Sequence, residues 1–153
     1  MDTKAGEKFF NILIVEDNPG DVRLMQEALR EGDVACRMHV APNGVEATLF
    51  LRRQGSYCEA PRPDFILLDL NVPRKNGSEV LVDIKSDPAL RQIPVIVLST
   101  SAAPHDIQKA YDLHANCYII KPVDLEIFMR QIRLIKEFWC TMVQLPQEEN
   151  NGQ

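Results

Sequence analysis

Residues 64–71 read Asp64-Phe65-Ile66-Leu67-Leu68-Asp69-Leu70-Asn71, an apolar block that ends abruptly in a carboxylate. A strand with one wet face alternates apolar and polar residues, so a solid block this short is expected of a strand covered on both faces of a parallel sheet. Four more short runs fit strands: Asn11–Val15, Cys36–Val40, Val95–Ser99 and Cys117–Ile120. Together with Asp64–Leu68 they make five. Cys36–Val40 is mixed in character, which suits an edge. Between the strands, apolar residues recur at helical spacing: Val22, Met25 and Leu29, then Val80, Leu81 and Ile84, then Ile107, Ala110 and Tyr111. Helix starts are marked by Asn18 before Pro19, by Asn43 and Asn76 each three residues ahead of a glutamate, and by Asp124. Strand and helix thus alternate five times, which predicts an α/β fold with a doubly wound, five-stranded parallel sheet.

The length of 153 residues fits one domain, and 17 basic against 22 acidic residues give a net charge of −5. That balance, with no Lys/Arg run, argues against a binder of the nucleic-acid backbone. An apolar share of 45% and a charged share of 25% are those of a soluble globular chain. Apolar runs of about four residues fall far short of the ~20 that a membrane span needs. Met1 to Lys8 is charged with no apolar stretch behind it, so no secretion signal is expected. Cys36, Cys58, Cys117 and Cys140 form no C-x-x-C pair, which reads as thiols in a reducing, cytoplasmic setting. Gln54–Pro63, with two prolines, predicts a surface excursion, and the polar stretch from Gln147 a disordered tail.

In a doubly wound sheet, chemistry gathers at the carboxyl ends of the strands. Here the first strand ends in Glu16-Asp17, the third in Asp69 with Asn71 beyond it, the fourth in Ser99-Thr100 and the fifth in Lys121-Pro122. Strands about 5 Å apart bring these groups onto one patch. Three carboxylates crowded together repel one another and call for a cation, which Lys121 and a hard divalent ion can supply. An oxygen-only ligand set without His or Cys points to Mg²⁺ rather than Zn²⁺. Asp17 and Asp69 would ligate directly, Glu16 through water, and a backbone carbonyl just past Asp69 could complete the shell. Each residue alone reads as readily as a helix cap or a solvated charge. Carboxylate, metal, hydroxyl and lysine together are the parts of phosphoryl transfer, with Asp69 as nucleophile.

Ile14-Val15-Glu16-Asp17-Asn18, Leu67-Leu68-Asp69-Leu70-Asn71-Val72-Pro73, Val97-Leu98-Ser99-Thr100 and Tyr118-Ile119-Ile120-Lys121-Pro122 resemble the receiver domain of two-component response regulators. The resemblance covers residues 9–138 and includes the spacings from Asp69 to Ser99 and from Ser99 to Lys121. It implies a flavodoxin-like sheet of order 2-1-3-4-5. It also implies that Asp69 accepts a phosphoryl group from a sensor histidine kinase. Asp17, Asp69 and the carbonyl of Asn71 would hold Mg²⁺ with Glu16 in support. Ser99 and Tyr118 would form the switch, and Lys121 would pair with the acyl phosphate before a cis Lys121–Pro122 bond. His114 stands where the family usually has glycine, at a cost of about 1–2 kcal/mol if that turn is left-handed. Thr100 is larger than the small residue common there, which would restrict access to the phosphoryl site. The run Tyr111–Leu125, with Phe138-Trp139 and Leu145-Pro146, is similar more particularly to regulators that partner phytochrome-type histidine kinases.

Leu125, Phe128, Ile132, Ile135, Trp139 and Met142 form a coiled-coil-type seam, flanked by Ile127, Leu134, Phe138 and Leu145. A last helix running from Leu125 to Val143 would span roughly 28 Å, longer than a small sheet covers. Either its end folds back on the domain, or the Leu125–Leu145 helix is a homodimer contact. Residues 139–153 are expected to extend the last helix into a polar tail, too short for an output domain, so that the output is a partner. Two other functions remain open. One is a phosphorylation-independent receiver scaffold. The other is an aspartate-nucleophile phosphatase of the haloacid-dehalogenase type, which would need an acid where Asn71 stands.

Overall fold

In a computed structural model of the chain, residues 9–147 are described, and the predicted alternation of strands and helices is realised. The elements are β1 (Phe10–Val15), α1 (Pro19–Arg30), β2 (Cys36–Ala41), α2 (Gly44–Leu51), β3 (Phe65–Asp69), α3 (Gly77–Ser86), β4 (Val95–Ser99), α4 (Pro104–Asp112), β5 (Cys117–Ile120) and α5 (Leu125–Glu137). All strand pairs are parallel and the order is β2-β1-β3-β4-β5, with the mixed β2 at an edge. The excursion after α2 holds only a short 3₁₀ turn, Gly55–Tyr57.

Pleating splits each solid block between two cores. Leu13, Val15, Ile66, Leu68 and Val97 pack with Ala47, Phe50, Val80, Leu81 and Ala110 on the α2–α4 side. Ile12, Ile14, Phe65, Leu67, Ile96 and Leu98 pack with Met25, Leu29, Phe128, Ile132 and Ile135 on the α1–α5 side. The four predicted caps form. Asn18 accepts from the Gly20 and Asp21 amides, Asn43 from Glu46, Asn76 from Glu79, and Asp124 from Glu126 and Ile127. His114 does take a left-handed φ of 72°.

The last helix runs close to its expected length, from Leu125 to Met142, but in two forms. Regular α-helix stops at Glu137, and Phe138–Met142 forms a wider π turn that ends the element at Met142. The chain then doubles back, and Leu145, only 5% exposed, joins the α1–α5 core with Trp139, Cys140 and Val143 packed alongside. Trp139 lies against Phe65 with ring centroids 6.3 Å apart. Leu145 is therefore neither helical nor part of an outward stripe, because burying it on the sheet removes more apolar surface from water than prolonging a helix past the sheet's edge. Within α5 the buried Lys136 is satisfied by donating to the Leu29 and Glu31 carbonyls, both at 2.6 Å, at the C-terminal end of α1. The predicted tail beyond Gln147 lies outside the described residues. Among the described residues, no helix is long and apolar enough to cross a membrane.

Candidate functional site

The register delivers the predicted groups to one end of the sheet. Val15 pairs with Leu68, Asp69 with Leu98, and Ser99 with Ile120, so Glu16-Asp17, Asp69, Ser99 and Lys121 all emerge at the same level. Two backbone bonds extend the ladder past the strands, from Glu16 N to Ala41 O at 3.1 Å and from Lys121 N to Ser99 O at 2.7 Å.

Lys121 is the hub. Its ammonium, with a side chain 8% exposed, donates to Glu16, to Asp69 Oδ2 at 3.1 Å and to Asp21 Oδ2 at 3.2 Å. Burial alone would lower its pKa, but the Glu16 and Asp69 carboxylates more than reverse this and hold it above the usual lysine value. One cation does not balance the surrounding carboxylates. Burial first, and then the charge of Asp69, push Glu16 up to about 7 despite the hydrogen bond and charge of Lys121.

A carboxylate oxygen from each of Glu16, Asp17 and Asp69 lies within 4.8 Å of the others. Glu16 and Asp69 are buried and Asp17 faces solvent, so the cluster opens to one side. All its donors are oxygens. An unbalanced, partly open, oxygen-only cluster fits a small hard cation. Past Asp69 the chain turns sharply, the Asn71 amide donating to Asp69 Oδ1 at 2.8 Å. The start of α3 is pressed against this turn: a Cβ at Gly77 would stand 2.3 Å from Asp69 O and 2.5 Å from Leu70 Cα. Only glycine allows that approach.

Ser99 is buried, and its Oγ accepts from Ser101 N at 3.2 Å. Tyr118 Oη donates to Ser101 O at 2.8 Å, while its own amide donates to Tyr111 Oη at 3.1 Å. Ser101 thus joins β4's hydroxyl to β5's aromatic ring. Beside Ser99 and Ser101 lies a cavity of about 430 Å³, lined also by Asn71, Asp106 and Lys109 among others. The expected cis Lys121–Pro122 bond is not found, since every described peptide is trans. The intrinsic preference at X–Pro is only about 0.5–1 kcal/mol, so sequence does not decide the isomer.

Two participants lie outside the predicted set. Asp21, at the third position of α1, reads in sequence as an acid complementing the helix N-terminus, yet it also reaches Lys121 across the sheet. Ser101 carries no sequence signal beyond standing two residues after Ser99.

An acidic patch with a lysine and a hydroxyl, at the carboxyl ends of a 2-1-3-4-5 sheet, is the architecture of a phosphoacceptor signalling domain. The chain belongs to the response regulator receiver domain family, whose pattern it matches over residues 12–133. Among its relatives is the response regulator Rcp1 of Synechocystis sp., 44% identical over 135 residues, which are 88% of this chain and 92% of that protein. The crystal structure of the phosphorylated cyanobacterial phytochrome response regulator RcpA superposes with a TM-score of 0.89 at 48% identity, covering 92% of this chain and all of that one. The Mn²⁺-bound form of Rcp1 gives a TM-score of 0.87 at 43% identity, covering 90% and 99%. This chain is thus a receiver homologous to phytochrome response regulators.

Proposed function

We propose that Asp69 accepts a phosphoryl group from a phosphohistidine of a sensor histidine kinase of the phytochrome type, and that the resulting acyl phosphate changes the chain's affinity for a partner. The observation that carries this reading is the convergence of Lys121 and the Glu16 and Asp17 carboxylates on Asp69. An Asp69 carboxylate oxygen attacks phosphorus as the P–N bond to the kinase imidazole breaks, and the imidazole leaves with the bond's electron pair. Lys121, already within hydrogen-bond reach of Asp69, neutralises charge on the transferring group, and the Ser99 hydroxyl donates to one of its oxygens. Asp17, Asp69 and the Asn71 carbonyl would hold Mg²⁺, with Glu16 in support. Bound there, the ion supplies charge neutralisation between carboxylates and phosphoryl oxygens. Movement of Ser99 toward the phosphoryl group pulls on Ser101 and hence on Tyr118, which supports their role as the switch. The chain is a signalling protein rather than an enzyme acting on another substrate, because Asn71 cannot protonate a leaving group as a phosphatase of this chemistry needs. It acts in the cytoplasm, in keeping with four cysteines present as thiols.

Incubation with Mg²⁺ and acetyl phosphate or a phytochrome-type kinase, followed by intact mass measurement, is expected to show one added phosphoryl group. Asp69→Asn is expected to show none. A wild-type chain that no donor labels would instead be a scaffold.

The same reading includes a homodimer through the last helix. Its support is an outward stripe on α5 and the turn after it, where Ile127, Leu134 and Phe138 are 51%, 54% and 47% exposed. Since Trp139 and Leu145 belong to the core, truncation before Phe138 would unpack the fold. Leu134→Glu with Phe138→Glu is the cleaner test. Light scattering is expected to show halving of the mass while circular dichroism shows the separated chain still folded, with an unfolding midpoint lowered by the loss of association, and an unaltered mass removes this interface.

A further inference from the structure

The loop from Leu70 to Asn76 carries Asn71 and connects the phosphoacceptor to α3. Its first end is fixed, because Asp69 is locked into β3 opposite Leu98 and Gly77 abuts the Asp69 carbonyl. Its far end includes a backbone that resists its own conformation: Arg74 has a φ of 68°, a left-handed geometry that costs a non-glycine residue about 1–2 kcal/mol. Some residue must tie the loop to elements outside it to maintain this geometry.

Lys75 does so twice. Its ammonium donates to Thr48 Oγ1 on α2 at 3.0 Å and to the Asp83 carboxylate on α3. Thr48 in turn donates to the Gly44 carbonyl at 2.9 Å, so the lysine's grip continues into the first turn of α2. The Lys75 backbone is seated as firmly, for a Cβ at Gly44 would stand 1.9 Å from Lys75 O. The Lys75 amide donates to Pro73 O at 2.8 Å, closing the turn that contains Arg74. Two helices and a strained turn therefore meet on one residue, four positions downstream of Asn71. Slack introduced here cannot displace β3, which the sheet holds. It bears on the segment between, Asn71 to Arg74, whose other anchor is Val72, buried in the α2–α4 core.

We propose that Lys75 is a positioning residue for the divalent cation, holding the Asn71 backbone against Asp69 by tying the loop to α2 and α3. The proposal rests on the reading that Asp17, Asp69 and the Asn71 carbonyl take the ion, and it adds an outer support that touches neither ion nor phosphoryl group. Groups bonded directly to a metal's ligands change its affinity by about 10–100-fold, and a brace one step further out is expected at the lower end of that range.

The test is Mn²⁺ binding to the full chain, by titration calorimetry and by the electron paramagnetic resonance of free Mn²⁺, with thermal unfolding in EDTA measured alongside. Lys75→Met is expected to weaken Mn²⁺ by about tenfold, and Lys75→Arg to recover part of the loss. Lys85→Met is the control: Lys85 is another half-buried lysine, bonded to the Arg91 and Ile93 carbonyls and to Asn116 away from the loop. It is expected to lower the unfolding midpoint without changing Mn²⁺ affinity. Wild-type affinity in Lys75→Met overturns the proposal, as does an equal loss in Lys85→Met, which would make the effect one of general stability. A wild-type chain that binds no Mn²⁺ removes the metal reading itself, and the brace with it.

Discussion

Lys121→Met is expected to lose phosphotransfer to Asp69 by about 10²–10³-fold, the range typical for removing one preorganised group that stabilises developing charge. The same change tests what the lysine does before any phosphoryl group arrives. Its ammonium sits among the carboxylates of Glu16, Asp69 and Asp21. Taking one partner from a buried ion pair costs on the order of 3–5 kcal/mol when the remaining charge stays uncompensated. Here the remaining charge has an escape, because Glu16 titrates near 7 even with the lysine in place. Without Lys121 it takes up a proton more readily still. The variant in EDTA is therefore expected to unfold well below wild type at pH 8 and to recover much of the difference at pH 5.5. Thermal unfolding at the two pH values measures this. An equal deficit at both would mean that the lysine contributes only the packing of its stem. Lys121→Arg is expected to fail in phosphotransfer as well, since a planar fork does not replace a compact ammonium in so enclosed a slot.

The parts of this site that sequence reveals are those carried by strand ends. A solid block such as Phe65–Leu68 admits only a covered strand, and the residue after it must then emerge at the edge where helices leave room. Glu16, Asp17, Asp69, Ser99 and Lys121 were all legible for that reason. Asp21 and Lys75 were not, because their roles depend on contacts across elements. Asp21 satisfies a local rule as an acid in the first turn of a helix, which hides its bond to a lysine 100 residues away. Lys75, between Arg74 and Asn76, has the composition of a solvated turn, and nothing local announces that Gly44 has been kept bare to receive its carbonyl. The last helix shows the opposite difficulty. Apolar spacing from Leu125 to Leu145 continues without a break, and periodicity does not distinguish a stripe facing a partner from one facing the chain's own core. The π turn at Phe138–Met142 changes the helical phase, and the extended Val143 after it ends the helix. Beyond that turn Leu145 returns to the core, where Trp139 lies against Phe65, while Leu134 on the helix before it and Phe138 stay exposed.

Mg²⁺ is expected to raise the unfolding midpoint by more at pH 8 than at pH 5.5. Glu16 supplies the sign. Its folded pKa of about 7 lies above its ordinary 4.5, so between those values the folded state holds a proton that the unfolded state has released. Stability rises with pH only where the unfolded state binds more protons. The contribution of Glu16 therefore falls as pH climbs through this window, by a few kcal/mol at roughly 1.4 kcal/mol per pKa unit. Lys121, held above its ordinary value, keeps its full contribution below about pH 10.5 and does not enter. His39 works in the opposite direction, since burial and then Arg37 lower its pKa and make stability rise toward its ordinary 6.5. It lies on β2 and carries the same cost with or without the ion, so it cancels in the difference. The ion favours ionised carboxylates and must displace the Glu16 proton at low pH, whereas at pH 8 that proton is already gone. A ligand at 100 times its dissociation constant adds about 2.7 kcal/mol, so weakening of apparent affinity at low pH appears directly as a smaller shift. Glu16→Gln is expected to remove the fall in metal-free stability as pH rises, leaving the opposite slope from His39, and to leave the Mg²⁺ increment nearly the same at both pH values. If the wild-type increment is already equal at pH 5.5 and pH 8, Glu16 is not linked to the ion, and the cluster binds through Asp17 and Asp69 alone.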